Sequence, residues 1–125
     1  DTSLQIITCV HHNAEKAITR AKMTIAFYVS VGKIYREFLS SNGFKNETKN
    51  IFEEYEKTGL KNNYELVPES MLNELCICGT PNECRDQLKQ FRETGINLPI
   101  IQFNPIDNVE ESFDLVTSTF SEVYD

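Results

Sequence analysis

Four cysteines, two adjacent histidines and a Thr-Pro-Asn-Glu helix start are the groups with chemistry to offer in this 125-residue sequence. The cysteines stand at 9, 76, 78 and 84. Cys76-Ile-Cys78 is a C-x-C pair, followed by five residues and Cys84, and zinc sites are normally built from C-x2-C pairs with a matching second pair. The spacing therefore predicts no metal and no disulfide, but buried free thiols kept reduced, as in cytoplasm. His11-His12 follows an apolar run, and imidazoles in such a place can donate a hydrogen bond or carry a proton. No sequence neighbour is a carboxylate that would orient either ring. Thr80, Pro81 and Glu83 fit an N-cap, a first helical residue and a third, which is a capping box with the favoured proline. A helix start of that kind attracts phosphate. Here Thr80 and Glu83 occupy the first N–H groups, and the Glu83 carboxylate repels an anion.

The elements that must position these groups read as follows. Leu4–Val10 is rich in β-branched residues and predicts a strand. Asn13 suits an N-cap, and Ala14, Ala17, Ile18, Ala21, Ile25, Tyr28 and Val29 recur at helical spacing. Gly32 interrupts the pattern, and Ile34, Tyr35, Phe38 and Leu39 carry a further stripe to the turn at Ser40–Gly43. A second helix is expected over about Glu47–Lys57, with Ile51, Phe52 and Tyr55 on one side and Gly59 beyond its end. Lys61–Asn63 reads as loop, and a short helix follows Pro68. The capped helix after Thr80 presents Cys84, Leu88 and Phe91 and stops at Gly95. Leu98–Phe103 predicts the second strand, and Pro99 is tolerable near its start. Asp107 is expected to cap a last helix with Val109, Phe113, Val116, Phe120 and Val123 on its buried stripe.

Length and charge bound the function. One domain of this size buries a core without staples. Lys and Arg number 12 against 19 Asp and Glu, for a net charge of −7. Nothing supplies the basic face that nucleic acid requires. Six of the acids fall between Pro105 and Asp125, where there is no Lys or Arg, and read as a solvated helix face. No apolar run approaches membrane-spanning length. The chain opens on Asp1 rather than Met and turns apolar within three residues, which reads as a cut end. Two strands joined by helices, both apolar on both faces, imply an α/β protein with a parallel sheet. Two strands alone leave open edges, so the sheet is expected to be completed by the rest of a larger barrel or by another copy of the chain.

The segment Ile77-Cys78-Gly79-Thr80-Pro81-Asn82-Glu83-Cys84-Arg85, then Phe91-Arg92-Glu93-Thr94-Gly95-Ile96, then Ile100-Ile101-Gln102-Phe103, resembles a known pattern. It is similar to the C-terminal end of the bacterial luciferase-like family of flavin- or deazaflavin-dependent oxidoreductases. Within that family it looks most like the methylenetetrahydromethanopterin reductase-type members, whose last strand reads similarly. The opening strand, Asn13-Ala14-Glu15-Lys16-Ala17 and the long helix match the preceding strand and helix, so the likeness covers nearly all of the chain.

The resemblance implies an α/β fold of C-terminal β/α units of a (β/α)8 TIM barrel. Residues 1–125 form a single segment, with a helical insertion over residues 45–75 between the last two strands. Its stretch Lys45–Met71 would set specificity, because barrel function varies in the loops. The resemblance further implies hydride transfer between a reduced flavin (FMN) or deazaflavin coenzyme F-420 and a small-molecule substrate, or flavin monooxygenation. The family's earlier β/α units carry most of its cofactor contacts, so this segment alone is expected to hold no cofactor. Barrel active sites lie at the carboxyl ends of the strands. That rule selects His11, His12, Gln102 and Asn104 as candidate cofactor or substrate contacts, with Gly79 and Thr80 weighed beside them as a helix cap. The alternative is a non-catalytic α/β module that self-associates through sheet edges or apolar helix faces.

Overall fold

A computed structural model describes the backbone of residues 3–94 and 98–124 and the side chains of residues 6–94 and 101–121. The predicted stop at Gly95 lies outside these residues. In order, the elements are β1 (Ser3–Val10), α1 (Ala14–Val31), α2 (Lys33–Ser41), α3 (Lys45–Thr58), a 3-10 turn (Asn63–Leu66) and α4 (Glu69–Leu75). There follow β2 (Cys76–Gly79), α5 (Pro81–Glu93), β3 (Leu98–Phe103) and α6 (Val109–Tyr124). The chain divides into two compact units, Asp1–Ala21 with Leu75–Asp125, and Lys22–Glu74.

The first unit is built on a parallel sheet of order β2-β1-β3. The two strands expected from sequence are neighbours, with Ile6 beside Ile101 and Thr8 beside Phe103. The third strand, β2, corrects the expectation of two. It pairs Ile7 with Cys76 and Val10 with Gly79 along the other edge of β1. Four residues of C-I-C-G carry too short a pattern to announce a strand. What holds β2 in place is pairing with β1 and one side chain: Gln87 of α5 accepts from the Cys78 N–H and donates to the Cys78 carbonyl, both at 2.8 Å. Gln87 thereby occupies the backbone groups that an edge strand leaves open.

One face of the sheet presents Ile6, Val10 and Ile77 to Cys84 and Leu88 of α5 and to Val116 and Phe120 of α6. Phe91, Ile101, Phe103 and Leu115 pack around this core. Residues of opposite parity, Ile7, Cys9, Cys76 and Cys78, point to the other face by the two-residue period of a strand.

Helix α6 departs from expectation in its cap and in its buried side. Asn108, not Asp107, is the cap: its Oδ1 accepts from the Glu111 N–H at 2.9 Å. Asp107 instead takes a positive φ of 60° and leads the chain into the cap. The buried side carries Ser112, Val116, Thr119 and Phe120, while Val109 and Phe113 are exposed. Small polar residues can be buried there because their hydroxyls are used. Ser112 Oγ accepts from the Ile106 N–H at 3.1 Å, and Thr119 Oγ1 donates to the Leu115 carbonyl at 2.6 Å. Hydropathy alone ranks Phe113 above Ser112 and so rotates the helix wrongly. Phe113 keeps an edge-on contact with Phe103, ring centres 5.6 Å apart.

The second unit is helical. Gly32 separates α1 from α2 as its position suggested, and a Cβ there would stand 2.8 Å from the Tyr28 carbonyl oxygen. Arg36 joins the elements on either side of that break. Its Nη1 donates to the Val29 and Ser30 carbonyls at 2.8 and 3.0 Å, and its guanidinium lies 3.9 Å from the ring centre of Phe52 in α3. Ile25, Val29, Leu39, Ile51 and Met71 are fully buried. Asn63, expected in a loop, is buried in the 3-10 turn, and its Nδ2 donates to Ser30 Oγ at 2.8 Å. On α2 the expected stripe holds for Leu39 and fails for Ile34 and Phe38, which face solvent.

Candidate functional site at the carboxyl edge of the sheet

The parallel strands end together, and their ends collect the residues chosen from sequence. His11 and His12 follow β1, Gly79 and Thr80 close β2, and Gln102 and Asn104 lie at the end of β3 and just past it. The His11 N–H donates to the Gly79 carbonyl at 3.0 Å, which ties the first two of these ends directly. Gly79 has φ 141°, and a Cβ on it would stand 2.8 Å from Glu83 Oε1. This position therefore requires glycine.

His11 is held from both sides. The Asn13 N–H donates to its Nδ1 at 2.9 Å, so the proton of the neutral ring belongs on Nε2. Nε2 faces Asp107 Oδ2 at 3.4 Å. The same carboxylate oxygen takes a hydrogen bond from Lys16 Nζ at 3.0 Å. The Lys16 hydrogen bond and charge, with a smaller contribution from His11, hold the Asp107 carboxyl below the usual carboxylate range. Four residues on, Arg20 Nε donates to the Pro105 carbonyl at 3.1 Å, so α1 grips the loop between β3 and α6 at two points.

His11 and His12 line a cleft of about 540 Å3 with a floor of Val10, Ile106 and Leu115. Asp107, Glu111 and Asp114 stand on its walls beside Ser112 and Ser118. His12 is exposed and, unlike His11, makes no side-chain hydrogen bond among the described residues. Gln102 and Asn104 do not line this cleft; Asn104 is buried, and its Nδ2 donates to the Gln102 carbonyl at 3.0 Å. Gly79 and Thr80 do not line it either. Thr80 Oγ1 accepts from the Glu83 N–H at 3.4 Å, and Glu83 Oε1 accepts from the Thr80 N–H at 2.9 Å. The capping box expected from sequence is complete.

Sequence reasoning missed the acids of the cleft. Asp107 was expected as a cap, and Glu111 and Asp114 as parts of a solvated face. The available signal was the density of acids just after a strand end. The cysteines lie away from the cleft as buried free thiols. Burial, and then the neighbouring Cys78 thiol, pushes Cys9 up to about 12, and Cys76 and Cys84 are raised for the same reasons. No group of three or more potential ligands among the described residues could hold a metal ion. No helix among them is long and apolar enough to cross a membrane.

Against known proteins, the luciferase-like monooxygenase family matches residues 1–98. A solved structure of coenzyme F420-dependent tetrahydromethanopterin reductase from Methanopyrus kandleri superposes with a TM-score of 0.77 at 21% identity. The match covers 100% of this chain and 36% of that one, so the chain spans about a third of the reductase's length. The fold is thus that of β/α units of a TIM barrel with a helical insertion. No curated protein sequence matches the chain.

Proposed function

Because the chain belongs to the luciferase-like monooxygenase family, we propose that it serves an oxidoreductase that moves a hydride between a reduced flavin or deazaflavin and a small substrate. The family match over residues 1–98 carries this reading. The likeness to a reductase named as dependent on coenzyme F420 favours the deazaflavin over FMN. Such a cofactor supplies the redox chemistry, and the protein binds it, orients it and excludes water.

The described cleft does not fit the phosphate-bearing part of either cofactor. Asp107, Glu111 and Asp114 would face the anion, and the helix start at Thr80 has spent its donors on its own cap. In this reading the cleft takes an uncharged or cationic part of a ligand. His12 is the proton donor or acceptor of the cleft, because both nitrogens of His11 are engaged. The phosphate contacts belong to β/α units of the barrel outside these residues, and the stretch Lys45–Met71 sets specificity.

The test is titration of the 125-residue chain and of any longer form with coenzyme F420 and with FMN, followed by cofactor fluorescence. Binding of the deazaflavin by the longer form, weakened several-fold by His12→Ala, supports the reading. No binding of either cofactor by the longer form at millimolar concentration overturns it.

A further inference from the structure

Asn42-Gly43 is the one Asn-Gly pair in the sequence, and it makes the turn between α2 and α3. Both residues are exposed. Gly43 takes φ 100°, and a Cβ built on it would meet nothing within 4 Å. Among the described residues, the Gly43 N–H has no hydrogen-bond acceptor. The groups on either side of it hold the turn. The Asn42 and Phe44 N–H groups both donate to the Leu39 carbonyl at 3.1 Å, and Asn42 Nδ2 donates to the Phe38 carbonyl at 2.6 Å. The helix ends offer little else. The last turn of α2 has no basic residue, and α3 starts without a side-chain cap.

We propose that Asn42 is a site of spontaneous deamidation, and that its conversion to isoaspartate loosens the α2–α3 turn irreversibly. The Gly43 backbone nitrogen, losing its proton, bonds to Asn42 Cγ. The Cγ–Nδ2 bond breaks, and the side-chain nitrogen leaves with that proton as ammonia. Water then opens the cyclic imide. Opening at Cγ gives aspartate, and opening at the main-chain carbonyl gives isoaspartate, with no oxidation or reduction in either case. Asn42, at φ −114° and ψ 30°, must turn about ψ to bring Cγ to the nitrogen. A following glycine lets the peptide turn and leaves the nitrogen uncrowded. Every other asparagine precedes a residue with a Cβ, and Asn46, Asn50, Asn73 and Asn82 are also fixed in helices.

The products act on the turn in two ways. A carboxylate cannot donate to the Phe38 carbonyl, and it sets negative charge at the carboxyl end of α2, where the helix dipole is already negative. Isoaspartate also inserts an extra backbone carbon between residues 42 and 43. The bond from the Phe44 N–H to the Leu39 carbonyl spans that insertion. Leu39 and Phe44 are buried, and the Phe44 carbonyl takes the Thr48 N–H at 2.9 Å at the start of α3. The added carbon therefore reaches the first turn of α3.

This inference stands apart from the redox reading, because it needs no cofactor. The native chain is kept at mildly alkaline pH, in buffer and in urea, and its peptides are mapped by mass spectrometry with enzymatic methylation of isoaspartate. Asn42 is expected to lose its amide before every other asparagine, at a rate within about tenfold of that in urea, as at a turn that opens readily. Asn42→Gln, whose longer side chain closes the imide poorly, is expected to yield no isoaspartate at this position. In the isoaspartyl form, separated by ion exchange, the Phe44 and Thr48 amides are expected to exchange hydrogen about tenfold faster than in the native protein. Asn42→Asp, which adds the charge without the extra carbon, is expected to give a smaller rise. The proposal is overturned by another asparagine reacting first, or by a native rate more than about tenfold below that in urea. Isoaspartate at this position in Asn42→Gln, or unchanged exchange at Phe44 and Thr48 in the isoaspartyl form, would overturn it as well.

Discussion

Thr80 and Asp107 were both read as helix caps, and only Thr80 is one. Its Oγ1 accepts from the Glu83 N–H at the α5 start, so Thr80→Ala should lower stability by about 1 kcal/mol, seen in a denaturant melt, with cofactor affinity of any longer form unchanged. A tenfold loss of affinity without a shift in the melt would give Thr80 a binding role instead. Asp107 works through charge. Its carboxyl titrates below the value of an unfolded aspartate, so the stabilisation is full above about pH 4. It is lost as acid carries the pH down through the folded value. The native protein and Asp107→Asn should therefore differ in urea midpoint near neutrality and converge on acidification; a difference that grows toward low pH would contradict the Lys16 pairing. The thiols make a third test. With Cys9 pushed up to about 12 by burial, the native protein at pH 8 should resist an aromatic disulfide reagent, and the free thiols should react on unfolding. Prompt labelling of Cys9 in the folded protein would show that β1 opens readily.

At the scale of elements, what was legible followed from local rules. The α1 start at Asn13, the break at Gly32 and the α5 capping box are each written in a few adjacent residues. Helix α6 was read as an element, and its buried side was misread, because Ser112 and Thr119 are buried through hydrogen bonds that no hydropathy pattern records. The consequence is a contrast between two phenylalanines. Phe120 is buried in the core, and Phe120→Ala should cost about 3–5 kcal/mol. Phe113 is half exposed, and Phe113→Ala should cost about 1 kcal/mol or less. Thermal melts of the two variants compare them directly, and equal losses would restore the stripe read from sequence. The strand β2 escaped notice because its residues gain strand geometry from β1, which lies far off in sequence, and from Gln87 in the helix that follows. The cleft was half legible for the same reason: His11 and His12 follow a strand end, whereas Asp107, Glu111 and Asp114 reach the site through the packing of α6.

For the whole molecule, the family could be recognised from the residues around Gly79–Cys84 and the last strand, because a barrel repeats the same strand, turn and helix grammar along its chain. Strand order was not legible, since parallel pairing joins segments with no local link. That order sets a timetable. Ile7 of β1 is paired with Cys76 and Ile6 with Ile101, so β1 meets these two neighbours only across long stretches of chain. The helices of Lys22–Glu74 need only nearby partners, whereas the sheet must close long loops first. In pulse-labelled hydrogen exchange during refolding, amides of α2 and α3 should gain protection before those of β1; simultaneous protection would mean a single concerted nucleus. During synthesis on the ribosome, β1 must therefore wait for β2 while the helices between them are made, and longer still for β3. That interval, rather than the finished structure, is when the backbone groups of β1 that β2 and β3 will take are open to mispairing.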